Sequence, residues 1–332
     1  MTVLPKIEAF AADLTAIRQD IHAHPELGFE EVRTAGIVAE KLRAYGVDEV
    51  HEGLGGTGVV GFIKGAGGGN RRVGLRADMD ALPIVEDSGV PYTSTNPGRM
   101  HACGHDGHTT MLLGAARYLA ETRRFDGTIY FIFQPAEENE GGARVMVEEG
   151  LFDKYPVESV FGMHNMPGLE VGEMAVRGGP IMAAFDIFEI TVTGYGTHAA
   201  APHLGKDAVL AAAEIVTALQ TIASRSVDPQ DSVVVSVTQI HGGNTWNVIP
   251  EDVVLRGTVR AFKPGIQDLA ESSIRRIAEG VAAIHDMTVT IDYQRRYPPT
   301  INDHTEADFT ARGAIMRRFG VLYQGGALWT SM

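Results

Sequence analysis

Apolar residues in the first part of the chain recur at helical spacing. Ile7, Phe10, Leu14, Ile17 and Ile21 alternate steps of three and four, which places them on one face of a helix over residues 4–23. A second helix is predicted from Glu30 to Tyr45, with Gly46 at its C-cap. Beyond the Gly-rich turn at 53–58 the pattern changes to short apolar runs, read as strands at 59–64, 72–77, 128–133 and 158–163, with helices near 108–124 and 141–150. Continuous apolar strands interleaved with helices predict an α/β unit whose mostly parallel sheet is covered on both faces.

From Phe185 the order becomes strand 185–193, helix 206–224, strand 232–240, strand 252–262, helix 266–285 and strand 287–294. This βαββαβ order is that of a ferredoxin-like α+β sandwich. It defines an inserted domain at 183–295, between a first part at 1–182 and a remnant of that part at 296–332. The apolar stripes Leu210, Ile215, Leu219, Ile222 and Leu269, Ile274, Ile277, Val281, Ile284 on its helices are core.

Charge narrows the partners. With 28 basic against 42 acidic side chains the net charge is −14, which disfavours nucleic acid and anionic membrane surfaces. No run approaches the roughly 20 apolar residues of a membrane span, and the acidic, amphipathic start is not that of a signal peptide. One cysteine, Cys103, excludes an intrachain disulfide and points to a reducing, cytoplasmic location.

The chemistry gathers after the ends of strands, where open α/β sheets collect ligands. Residues 101–108 read HACGHDGH, placing His101, Cys103, His105, Asp106 and His108 in eight positions. Thiolate and imidazole are the preferred ligands of zinc and similar ions, so this loop is read as metal-binding. Asp80 and Asp106 are candidates to orient ligand imidazoles, and His101 and His108 are left between that role and ordinary packing. In QPAEE, Glu137 and Glu138 follow a strand end, where one carboxylate can hold metal and the other deprotonate water. His164, in GMHNMP, is a further ligand candidate.

The motifs HAHPELGFEE (22–31), GLRADMDALPI (74–84), MHACGHDGHT (100–109), FQPAEE (133–138), GMHNMP (162–167), GYGTHAAAPH (194–203), NVIP (247–250) and GTVRAF (257–262) run in order along the chain. Together they resemble peptidase family M20, in its hippurate hydrolase, N-acyl-amino-acid amidohydrolase and auxin-conjugate hydrolase branch. The resemblance implies a zinc-peptidase-like catalytic domain, an inserted lid that mediates homodimerisation, and two divalent metal ions, commonly zinc, manganese, cobalt or nickel. It implies Cys103, His105, Glu138 and His164 as metal ligands, Glu137 as general base and Asp80 as the residue orienting a ligand. His198 is implied as oxyanion donor, with Asn247 and Arg260 holding a substrate carboxylate. Where other branches place a histidine ligand, this chain has Asp78.

The implied substrate is an N-acyl amino acid or a dipeptide, cleaved at its amide by metal-activated water. The resemblance further implies an acidic GxEDF-like segment and a ligand histidine in an LHxP-like context. The sequence after Asp303 contains neither, and His304 lies too early to substitute. Two other readings therefore stand beside the amidohydrolase: a metal-binding, dimerising protein without turnover, and a dipeptidase or carboxypeptidase of the same family.

Overall fold

The computed structural model describes residues 3–138, 141–316 and 320–322. The chain divides into two compact units, the first ending at Glu173 and the second running from Met174 to Met316. The end of the 296–332 segment lies largely outside the described residues.

In the first unit the elements are α1 (Ala11–Ala23), α2 (Val32–Ala44), β1 (Glu49–Leu54), β2 (Gly58–Lys64), β3 (Arg72–Asp78), α3 (His105–Thr122), β4 (Thr128–Gln134), α4 (Gly142–Glu148) and β5 (Ser159–Gly162). The five strands form one sheet in the order β1-β2-β4-β3-β5. It is antiparallel across β1, β2 and β4 and parallel across β4, β3 and β5. Successive side chains of a strand point to opposite faces, and here both faces are covered. Val59, Ile63, Phe131 and Phe133 pack with Val38 and Leu42 of α2 and Leu113 and Ala116 of α3, while Val60 and Ile132 pack with Met146 and Leu151. Each large side chain so buried contributes about 1.5–3 kcal/mol.

Parallel pairing decides where the chemistry falls. Asp78 lies in register with Gln134, and Arg76 with Gly162. The C-terminal ends of β3, β4 and β5 therefore lie along one edge, and the segments carrying Asp80, Glu137 and His164 leave the sheet side by side.

The second unit contains β6 (Phe185–Thr193), α5 (Ala208–Leu219), β7 (Val233–Gly242), β8 (Asp252–Ala261), α6 (Pro264–Ile284) and β9 (Thr288–Tyr297). The sheet order β7-β8-β6-β9, antiparallel throughout, is the ferredoxin-like arrangement expected from the sequence. Burial alternates strictly along β6, and Phe188, Ile190 and Val192 meet Ala211, Ile215 and Leu219 of α5 and Ala270, Ile274 and Ala278 of α6. The alternating Asp186 is also buried, but its carboxylate accepts hydrogen bonds from Gln267 Nε2 at 2.7 Å and Tyr293 Oη at 2.6 Å. Residues Ala208–Ser226 are long and apolar enough to cross a membrane by length and composition, contrary to the sequence expectation. In this unit their apolar face, from Ala208 to Ile222, covers the sheet. A short ladder joins Gly179–Met182 to Thr300–Asn302.

Candidate active site

Three loops and the first turn of α3 build a buried polar cluster in the first unit. The helix begins on His105 itself, three residues before the sequence expectation, because Gly104 takes the left-handed conformation (φ 85°) and turns the chain into it. A Cβ at Gly104 would lie 2.3 Å from Asn165 Nδ2, so glycine also lets the HACGH and GMHNMP loops approach closely.

His105 is completely buried. Its Nδ1 faces Asp80 Oδ1 at 3.2 Å, which leaves Nε2 pointing inward with no hydrogen-bond partner. Glu138 Oε1, also buried and without a hydrogen-bond partner, lies 3.7 Å from that Nε2. On the other side, Cys103 Sγ is 3.3 Å from His164 Nε2, whose ring is oriented by Nδ1 against the Asn165 carbonyl at 2.6 Å. Donor atoms of Cys103, His105 and His164 lie within 4.8 Å of one another, as do those of His105, Glu137 and Glu138.

These separations suit ligands of a common ion. Two nitrogen or oxygen ligands about 2.1 Å from a tetrahedral ion stand roughly 3.4 Å apart, and a thiolate a little farther. Two buried atoms left unpaired at such a distance each forfeit about 1–3 kcal/mol of desolvation unless something binds them. The donor set, one thiolate, two imidazoles and carboxylate, fits zinc and similar borderline cations.

Asp80 ties the parts together. Its Oδ1 meets the His105 ring, and its Oδ2 accepts from the Glu138 amide at 2.8 Å, so one carboxylate orients two of the candidate ligands. Asp78 faces the His105 Nε2 as well, its Oδ2 at 3.7 Å, and is tied to a second set of groups. It accepts from Arg76 Nη1 at 2.7 Å and meets His108 Nδ1 at 2.6 Å. His108 Nε2 in turn accepts from the Asn165 amide at 2.9 Å. Both nitrogens of His108 are thus engaged in holding the loops, and Asp78 is neutralised by Arg76.

Burial and charge set the protonation states. Burial would lower the His105 pKa, but the Asp78 and Asp80 carboxylates hold it up at about 12. Burial, reinforced by the charge of Asp78, pushes the Glu137 carboxyl up to about 7. Burial raises the Cys103 thiol as well. Burial would raise Asp78, yet Arg76 and the neighbouring imidazoles bring it well below the carboxylate range. His101 is buried with neither ring nitrogen hydrogen-bonded, and burial lowers it to about 4.

Cys103, His105, Glu137, Glu138, His164 and Asp80 therefore come together, while His198, Asn247 and Arg260 lie in the second unit. His198 ends a short strand paired with Val248–Ile249, and the Asn247 carbonyl accepts from the Ala199 amide at 2.9 Å, so those two are neighbours. Arg260, on β8, has its guanidinium 4.0 Å from the Phe185 ring centre and donates to the Val259 carbonyl at 3.2 Å. It forms no ion pair among the described residues. Asn139 and Glu140, beside the glutamate pair, lie outside the described residues.

The sequence reading gave no role to Arg76, Glu31 or His22. His22 bridges two elements, its Nδ1 2.9 Å from Asp106 Oδ2 and its Nε2 3.1 Å from Glu86 Oε1, with Arg18 also donating to Asp106. Both His22 and Glu31 stand in the HAHPELGFEE motif, which marked the segment without showing what it touches.

The hippurate hydrolase of Campylobacter jejuni is 44% identical over 314 residues, which cover 95% of this chain and 81% of that protein. An N-acetylcysteine deacetylase of Bacillus subtilis is 40% identical over 299 residues, covering 90% and 78% respectively. A Bacillus subtilis protein described with its crystal structure as a dinuclear metal binding peptidase superposes with a TM-score of 0.80 at 36% identity, over 97% of this chain and 83% of the other. Residues 74–323 match peptidase family M20/M25/M40, and with the cluster at the strand ends the conclusion is direct: the chain belongs to that family.

Proposed function

We propose that this metal-dependent amidohydrolase acts on N-acyl amino acids, cleaving the amide between a small acyl or aroyl group and the amino-acid nitrogen. One observation carries the reading: the unpartnered, buried His105 Nε2 and Glu138 Oε1 face each other beside Cys103 and His164, with the Glu137 carboxyl in the same cluster. The activities named for the Campylobacter and Bacillus relatives support the substrate class.

Cys103, His105, Glu138 and His164 would hold two divalent ions, zinc, manganese, cobalt or nickel, which when bound acidify water and polarise the amide carbonyl. The protein's own groups do the rest. Glu137, raised to about 7, is matched to proton transfer near neutrality. It takes a proton from the attacking water and returns it to the amide nitrogen as the C–N bond breaks, so the carboxylate is regenerated. Asp80 keeps the His105 ring in the tautomer whose Nε2 is free. His198, Asn247 and Arg260 of the second unit are our proposal for the donor to the oxygen that gains charge and for the holders of the substrate carboxylate, the latter a task suited to a planar guanidinium with no ion pair among the described residues. We assign the second unit to homodimer formation, supported by the exposed end of the edge strand β7 and the fully exposed Trp246. A chain that light scattering shows to be monomeric would exclude it.

The substrate class is tested by reconstituting the protein with each metal and offering N-benzoylglycine, a series of N-acetyl amino acids and a series of dipeptides. N-acyl amino acids should be cleaved with kcat/KM about tenfold or more above dipeptides. The opposite ranking would make the protein a dipeptidase.

A further inference from the structure

Glu31 sits at the N-cap of α2, yet its side chain does not cap that helix. It is completely buried and reaches across to the glutamate loop, accepting from the Ala136 amide at 2.7 Å through Oε1 and from Thr57 Oγ1 at 2.6 Å through Oε2. Ala136 occupies the left-handed region at φ 50°, a conformation that costs a non-glycine residue about 1–3 kcal/mol and persists only where surroundings impose it. That turn is what matters for the site. In a continuing strand Glu137 and Glu138 would point to opposite faces, whereas here both offer oxygens within 4.8 Å of the His105 donor. The Ala136 carbonyl is fixed too, accepting from the Gly142 amide at 2.9 Å. A Cβ at Gly142 would lie 1.8 Å from the Pro135 carbonyl oxygen, so the turn closes as it does only over glycine.

We propose that Glu31 is a positioning residue for the Glu137–Glu138 pair, gripping the amide before Glu137 as Asp80 grips the amide after it. The two buried carboxylates hold amides of alternate residues and leave Glu137 fixed between them. Among the described residues the Glu31 carboxylate hydrogen-bonds to Ala136 and Thr57 and to none of the candidate metal ligands, so it acts through the Ala136 N–H. The proposal rests on the amidohydrolase reading, in which Glu137 is the base and Glu138 a ligand.

The test compares Glu31→Ala, which removes the acceptor, with Glu31→Gln, whose amide oxygen can still accept from Ala136 while its NH2 donates to Thr57. Kinetics are measured at saturating zinc, and zinc affinity by competition with a chromophoric chelator. Glu31→Ala should lower kcat roughly 10–100-fold, the cost typical of groups that orient ligands, with KM changed by less than about threefold. Glu31→Gln should restore most of the loss. A kcat for Glu31→Ala within about twofold of wild type, or equal losses in both variants, overturns the proposal. If Glu31→Ala does not fold, Glu31→Asp replaces it, since its carboxylate is one methylene too short to reach Ala136 and the same outcomes apply. Absence of hydrolysis in the wild type would overturn the functional reading instead. Zinc affinity then decides the positioning role: weaker binding in Glu31→Ala restored in Glu31→Gln supports it, and unchanged binding refutes it.

Discussion

Replacing Glu137 by glutamine should stabilise the metal-free protein while removing its activity. In the unfolded chain this carboxyl ionises near its ordinary 4.5; in the fold burial and the Asp78 charge push it up to about 7. Below pH 4.5 both forms hold the proton and the group is neutral to stability. Between 4.5 and 7 the unfolded chain releases a proton that the folded chain keeps, so stability falls as pH rises. Above 7 the ionised group carries its full cost, about 3 kcal/mol at 1.36 kcal/mol for each pH unit between the two values. Glutamine keeps the shape without the charge, so about 2–3 kcal/mol of that should be recovered once the burial of its amide is allowed for. Denaturant unfolding of the chelator-treated proteins, followed by circular dichroism at pH 8 and pH 4, measures the difference. Glu137→Gln should be the more stable at pH 8 and the two should converge at pH 4. A gain independent of pH, or none at pH 8, would refute the argument that the half-buried Glu137 is a destabilising charge held for function.

Zinc uptake at pH 7 should release about two protons per chain, one from the His105 imidazolium held at about 12 and one from the raised Cys103 thiol. Calorimetry in two buffers of different ionisation enthalpy counts them, and a buffer-independent heat would contradict these protonation states. Asp80→Ala removes the partner of both the His105 ring and the Glu138 amide, so zinc affinity should fall roughly 10–100-fold; chelator competition showing less than about threefold loss would remove Asp80 from the site. Gly104→Ala must place a side chain at φ 85° and against Asn165, and should cost about 1–3 kcal/mol in a thermal melt, with no loss expected only if the loop can rearrange freely.

Much of the site was legible because its donors are dense along the chain. Cys103, His105 and Asp106 lie within one short motif, and the strand-end positions of Glu138 and His164 follow from apolar runs, of which the fold buries the end of the one before Glu138 and leaves the one before His164 half-exposed. The βαββαβ order of the second unit was legible as well, whereas the burial of Asp186 on the covered face of β6 was not. Contacts that hold the site were not legible. Glu31 and Ala136 are 105 residues apart, and His22 and Asp106 are 84 apart. No local pattern relates such residues, and a buried glutamate looks in sequence like an exposed one. Element ends failed for a local reason: α3 starts at His105 because of the backbone conformation of Gly104, whereas apolar periodicity begins only at Leu112 and Leu113. Strand β1 went unread because EVHEGL is polar and largely exposed, held by its pairing with β2 and not by a buried face.

Hydrolysis of N-benzoylglycine by stripped and zinc-reloaded protein, alongside Glu137→Gln carrying the same measured zinc content, tests the central claim most directly. The stripped wild type should be inactive and reloading should restore turnover, while zinc-loaded Glu137→Gln should be slower in kcat by about 10²–10⁴-fold. Turnover that survives stripping, or a loaded Glu137→Gln as fast as wild type, would contradict it.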